Sequence, residues 1–178
     1  MKQHHEIPGS RGGQHAFAKF IDYSEGYGSH VIQSMISKVP HPKSVIDIGA
    51  GTGRDLQYAK KIHPSARTIA IEACQEYAAS LVGRVDEVHI VDIERGKLPF
   101  PEKSIDIIIA NQVLEHTKEV FWIFHEITRV LAPGGYLIFG VPNVLSLHNR
   151  ILGLFGGHPT QHKLYSGHVR PFSKSDTL

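Results

Sequence analysis

The run VIDIGAGTGRD, Val45 to Asp55, places an apolar stretch with Asp47 near its end ahead of Gly49, Gly51 and Gly53. Glycines in this arrangement let a backbone approach a ligand closely and take conformations that other residues avoid. The dinucleotide fingerprint G-x-G-x-x-G needs a third glycine so that helix and strand can pack, and here Arg54 stands at that position. A phosphate cradle of the form G-x-x-x-x-G-K-S/T is also absent, and Asp47 would face a pyrophosphate unfavourably. These residues predict a ligand that presents a ribose and a cationic group instead of phosphates. Glu72, closing the apolar run RTIAIE, supports the ribose half, because one carboxylate can accept hydrogen bonds from both hydroxyls.

Other chemistry-bearing residues are more scattered. The 13 histidines include the adjacent His4 and His5 and the trio His158, His162 and His168 in a stretch rich in glycine and proline. No HExxH and no paired Cys/His spacing occurs, so local spacing predicts no metal site. Cys74 is the one cysteine; it forms no internal disulfide and fits a reducing compartment.

A chain of 178 residues, with 41% hydrophobic and 20% charged side chains, has the make-up of one globular domain. The net charge of +2 comes without any Lys/Arg block, which argues against sequence-independent nucleic-acid binding. The N-terminus lacks the apolar core of a signal peptide, and no apolar run is long enough for a membrane span. A cytoplasmic protein is expected.

The elements that must position these residues alternate along the chain. Helical spacing from Ala16 to Val39 falls into two pieces divided near Gly26–Gly28, and Pro40 and Pro42 end it. Strands are predicted over 44–49, 67–72, 86–92, 104–111 and 136–141, and helices over 52–62, 74–82 and 117–131, the last capped by Thr117 and broken by Pro133-Gly134-Gly135. The strand SIDIIIAN is so apolar that both of its faces must be covered, as in a parallel sheet. This alternation predicts a doubly wound, mostly parallel α/β sheet, with residues 1–43 as an N-terminal arm and helical lead-in and 44–178 as the main domain. Asn143 is expected to cap a further helix reaching Phe155, and Ser173-x-x-Asp176 reads as a helix start shortly before the sequence stops. The sequence is therefore expected to be a fragment.

VIDIGAGTGR, the strand-end acid of IAIE, the turn VDIE, the strand IDIIIANQVLEH and the segment VLAPGGYLIFGVPN resemble, in order, the motifs of the class I S-adenosylmethionine-dependent methyltransferases. The tail GHVRPFSKSDTL resembles members with quinone-methyltransferase-like sequences. The resemblance implies a Rossmann-like sheet normally of seven strands, the last two of them beyond Leu178. It implies S-adenosylmethionine as cofactor, with Gly49, Ala50, Gly51 and Gly53 beneath its methionine and ribose portion. Asp47 would hold the methionine ammonium, Glu72 beside Ala73 the ribose hydroxyls, and Asp92 the adenine amine while Ile93 packs on the ring. Asn111 and Gln112 would line the methyl-transfer centre, and His116 is the candidate general base. Each of these acids also has a structural reading: turn carboxylate for Asp47 and Asp92, solvated strand-end acid for Glu72. His116 equally fits a local hydrogen-bonding role. Asp106, at the start of its strand, is expected to be structural.

The resemblance implies methyl transfer to a small-molecule acceptor at oxygen, carbon or nitrogen. The NPP-Y/F motif of enzymes that methylate exocyclic base amines is replaced by Asn-Gln-Val-Leu, which argues against a DNA base. A non-catalytic cofactor-binding homologue with a regulatory or scaffolding role is the alternative, and a dinucleotide-dependent oxidoreductase stands third. The segment from Asn143 to Arg170 is expected either to form a lid over the acceptor, with His168 and Arg170 turned toward it, or to pack on strands further along.

Overall fold

The computed structural model describes residues 28–158 and 167–177; the first half of the helical lead-in falls outside them. The elements in chain order are α1 (Ser29–Ile36), β1 (Ser44–Ile48), α2 (Arg54–Ile62), β2 (Arg67–Glu72), α3 (Gln75–Leu81), β3 (Glu87–Ile90), β4 (Ile105–Asn111), a 3-10 turn (Leu114–His116), α4 (Val120–Val130), β5 (Leu131–Gly140), α5 (Leu147–Leu154) and a second 3-10 turn (Lys174–Asp176). The strands form one five-stranded sheet in the order β3-β2-β1-β4-β5, and every pairing is parallel. The expected doubly wound parallel sheet is the observed one.

The apolar runs explain why both faces are covered. Along β4, Ile105, Ile108 and Ala110 join the core on one face, with Val120, Ile123, Ile127 and Val130 of α4. Ile107 and Ile109 point to the other face, where they meet Ile32 and Ile36 of α1 and Leu56 and Ala59 of α2. Period-two alternation thus feeds two cores from one strand. Each fully buried isoleucine contributes about 1.5–3 kcal/mol of transfer free energy. β1 lies between β2 and β4, so its C-terminal end opens onto the crevice where chain order reverses across the sheet, the usual ligand site of such folds.

Several local expectations need correction. Thr117 does not cap α4: its hydroxyl donates back to Leu114 O at 2.9 Å, closing the 3-10 turn. The amides of Lys118 and Glu119 are taken instead by the Glu94 carboxylate, which lies in the loop after β3. Pro133-Gly134-Gly135 does not end an element before the last strand. α4 passes directly into β5, and the extra residues form an irregularity between the Ile105–Leu131 and Ile107–Tyr136 pairs, with Gly134 at φ 78°. Ser146, not Asn143, caps α5, accepting from Asn149 N at 3.4 Å, while Asn143 Oδ1 accepts from Leu145 N at 3.0 Å in a turn leading in. Ser173 and Asp176 form the expected capping box, around a short 3-10 turn. Asp106 is structural as expected: its carboxylate accepts from Lys43 N at 2.7 Å and Ser44 N at 3.0 Å.

Candidate active site

The glycine loop joins β1 to α2 at the C-terminal edge of the sheet. Gly49, Gly51 and Gly53 have φ of 68°, 51° and 75°, a region that residues with a Cβ enter only at a cost. Close approach adds to the need for glycine. A Cβ on Gly49 would stand 2.6 Å from Val113 Cγ2, and one on Gly53 would stand 2.5 Å from Leu81 Cδ2. The loop is held by Gly49 N donating to Ile71 O at 2.8 Å and Gly53 N donating to Ala50 O at 2.7 Å.

Three carboxylates are buried around this loop: Asp47 in β1, Asp55 in the first turn of α2 and Glu72 at the end of β2. Glu72 Oε2 accepts from Gly51 N at 3.0 Å and Oε1 accepts from Cys74 N at 3.0 Å. One side chain therefore fixes both the glycine loop and the turn after β2, where Ala73 is exposed. Each of its oxygens keeps lone-pair capacity for one further donor. Desolvation raises the pKa of Asp47 well above the ordinary carboxylate range, and the nearby negative charges of Asp55 and Glu72 add to the rise while Arg54 opposes it. Arg54 pairs with Asp55, Nε to Oδ1, at 3.2 Å. Excess negative charge in a buried crevice favours a cationic ligand.

The end of β4 forms the other wall. Asn111 Nδ2 donates to Asp55 Oδ2 at 3.3 Å, and Asn111 Oδ1 is buried without a hydrogen-bond partner. Gly140, paired with Asn111 across β4 and β5, leaves the room this side chain needs, since a Cβ there would stand 2.5 Å from Asn111 Oδ1. Gln112 has φ 58° and donates its N–H to Gly140 O at 2.8 Å. A left-handed non-glycine residue stores of order 1 kcal/mol and clusters at functional sites. That turn carries Val113 over Gly49.

Beyond β3, Asp92 is exposed and accepts from Glu94 N at 3.0 Å, with Arg95 Nε 3.7 Å from its other oxygen. It shapes the turn that carries Ile93, which is partly buried against the core. Glu94, its carboxylate held below the usual range chiefly by the Lys118 amide, ties this loop to the start of α4.

His116 is exposed, and its Nδ1 lies 3.0 Å from Gly167 O. A carbonyl only accepts, so Nδ1 carries a proton, and in the neutral ring Nε2 is the nitrogen with the lone pair. His168 lies edge-on to it, ring centroids 4.6 Å apart. Arg170 does not extend free: Nη2 donates to Lys118 O at 2.8 Å. Between these groups sits Glu115, fully buried, its pKa pushed up to about 7 by desolvation. Asp55, Val113, Glu94 and Glu115 join the expected residues in the structure; Asp55 closes the run VIDIGAGTGRD and Val113 and Glu115 lie within IDIIIANQVLEH, while Glu94 stands only in the turn VDIE.

Residues 46–139 match the family described as a methyltransferase domain. A 37.1 kDa protein of transposon TN4556 from Streptomyces fradiae is 37% identical over 109 residues, 59% of this chain and 32% of that protein. The malonyl-(acyl-carrier protein) O-methyltransferase of Hahella chejuensis is 33% identical over 129 residues, 69% of this chain and 46% of the relative. The chain thus spans under half the length of these curated relatives. Among solved structures, a SAM-dependent methyltransferase from Thermotoga maritima, described as a possible histamine N-methyltransferase, superposes with a TM-score of 0.64 at 22% identity, covering 92% of this chain and 76% of that one. The chain belongs to the class I S-adenosylmethionine-dependent methyltransferase family.

Proposed function

We propose that this family member transfers the methyl group of S-adenosylmethionine to a small-molecule acceptor. The observation that carries the reading is the buried set Asp47, Asp55 and Glu72 beneath a loop of positive-φ glycines. The residues present fit the cofactor. Its ammonium and sulfonium charges offset the carboxylates that destabilise one another, its ribose hydroxyls suit the two Glu72 oxygens, and Asn111 Oδ1 is a buried acceptor awaiting a donor. Gly49, Ala50, Gly51 and Gly53 would form the floor, with Ala73 at the ribose edge. Asp92 and Ile93 would hold the adenine, and the Asn111–Gln112 backbone would flank the transferred methyl. The quinone-methyltransferase-like branch remains part of this proposal only as a class of acceptor to test.

The bound cofactor supplies an already activated sulfonium methyl. The protein's task is to hold an acceptor atom in line at near-contact distance and to keep water out. A base is needed only for an acceptor that must lose a proton, and His116 Nε2 is the nitrogen left for it. The single cysteine suits a reducing compartment, and the cytoplasm is the location proposed; no helix among the described residues is long and apolar enough to cross a membrane.

The test is calorimetric binding of S-adenosylhomocysteine followed by labelled methyl transfer over a panel of phenols, amines, carbon acids and carboxylates. Relatives named as malonyl-(acyl-carrier protein) O-methyltransferases put a carrier-bound carboxylate on that panel. No binding would end the reading; binding without turnover on any acceptor would favour a regulatory homologue.

A further inference from the structure

The 3-10 turn Leu114–His116 is met by the chain returning at Gly167. Val169 N and Arg170 N donate to Glu115 O at 2.8 and 3.1 Å, and His116 Nδ1 donates to Gly167 O. These bonds bring His168 onto the turn. One ligand atom each from Glu115, His116 and His168 lies within 4.8 Å of the other two. The Glu115 side chain is 0% exposed, and neither carboxylate oxygen has a hydrogen-bond partner.

A buried carboxyl group with no partner is expensive in either protonation state. A proton relieves the charge, but the resulting O–H still needs an acceptor. A cation satisfies both oxygens and the charge together. The neighbours fit one: the Nδ1–H of His116 is bound by a carbonyl, which orients the ring and leaves Nε2 as a ligand, the arrangement common to metal-bound histidines. Two imidazole nitrogens with one carboxylate suit a first-row divalent ion, whereas calcium and magnesium favour all-oxygen sites.

The geometry points to a binding site for a divalent first-row transition ion of the zinc type, held by Glu115, His116 Nε2 and His168. Metal–ligand distances of about 2.0–2.2 Å hold ligand atoms roughly 3–3.6 Å apart, so the three ligand atoms, which lie within 4.8 Å of one another, draw together when the ion binds. Three protein ligands leave a fourth position open. The ion would also clamp the returning segment onto the turn. It occupies the same nitrogen that a general base would use, so the ion and base roles of His116 exclude each other. Binding itself does not depend on the methyl-transfer reading and is measured without cofactor or acceptor.

The experiment strips the full chain with chelator and titrates it with Co²⁺, read by visible d–d absorption and by elemental analysis after dialysis. One tightly held equivalent per chain is expected. Glu115→Gln and His168→Ala should each weaken it by about tenfold or more and change the spectrum. His125→Ala, whose ring stacks on Trp122 instead, should not. Circular dichroism keeps the fold in view: Glu115→Gln conserves shape, and His168 is not in the core, so one variant can be read if the other unfolds. Absence of saturable binding, or binding unchanged in both ligand variants through histidines elsewhere, overturns the site.

Discussion

Glu72 Oε2 accepts the N–H of Gly51 at 3.0 Å while Oε1 accepts the N–H of Cys74 at the same distance. The carboxylate bridges the loop after β1 and the turn after β2, and so shapes the glycine loop. Glu72→Ala should therefore weaken S-adenosylhomocysteine binding by about 1.5–3 kcal/mol, the range for a charge-assisted hydrogen-bonding group. Loop amides should exchange faster in the same variant. Calorimetry returning the wild-type affinity would remove Glu72 from the site.

Gly51, at φ 51°, is the loop residue whose N–H meets Glu72. Gly51→Val imposes a β-branched side chain where the backbone is left-handed. Loss of cofactor binding with an unchanged α/β dichroism spectrum is expected. If the variant unfolds, the milder Gly51→Ala decides. Normal affinity in either would mean that the ligand does not pass this backbone.

Most of the sheet is legible in the sequence because β1 to β4 are short, largely β-branched runs, and β4 declares its double burial by having no polar face; β5 is legible only from Tyr136 on, because Pro133-Gly134-Gly135 hides its first half. The glycine loop and its flanking acids are legible for a related reason: their spacing is local. What is hidden depends on contacts across the chain. Val113 matters because Gln112 turns left-handed and swings it over Gly49, and no composition rule marks Gln112 for that. Glu94 looks like a surface acid until the fold brings the start of α4 to it. Local histidine spacing also says nothing of the pairing of His116 with the Gly167–His168 segment, on which the metal proposal rests, because it joins residues 51 apart in sequence.

Asp47 gives a proton linkage. Its pKa is raised in the free protein, and a cationic ligand beside it favours the ionised form. Cofactor binding should then release protons, and affinity should fall as pH drops through the raised value. Calorimetry in buffers of different ionisation enthalpy measures the release directly. Asp47→Asn should bind more weakly and show no such linkage; wild-type linkage in that variant would assign the proton elsewhere.

Glu115 affects stability with the opposite sign to a salt-bridged acid. Its folded value of about 7 lies above the ordinary glutamate value of 4.5, so the folded state retains a proton that the unfolded chain releases. Stability is greatest below the lower value and declines as pH rises from there to about 7. The accumulated loss is about 3 kcal/mol. In chelator, Glu115→Gln should remove that part of the slope in urea titrations, and saturating metal should suppress it in the wild type. A slope identical in Glu115→Gln would show that this carboxyl is not the source.

The segment from Asn143 to Arg170 is proposed as a lid; residues 159–166 of it lie outside the described ones, and its two described ends differ. At the far end, Val169 N and Arg170 N are bonded to Glu115 O, and Arg170 holds Lys118 O. At the near end, α5 buries no residue, and Leu147, Leu154 and Phe155 are exposed by 74%, 84% and 86%. An apolar face left in water favours closure over something apolar. Hydrogen exchange on the ligand-free protein should therefore find Val169 and Arg170 protected and the α5 amides fast. Cofactor together with an acceptor should slow α5 while leaving the far anchor nearly unchanged, a closing motion about a fixed end. In a chain extended to the full length of its relatives, α5 amides already slow without ligand would mean that this face packs on further structure, and the lid would be abandoned.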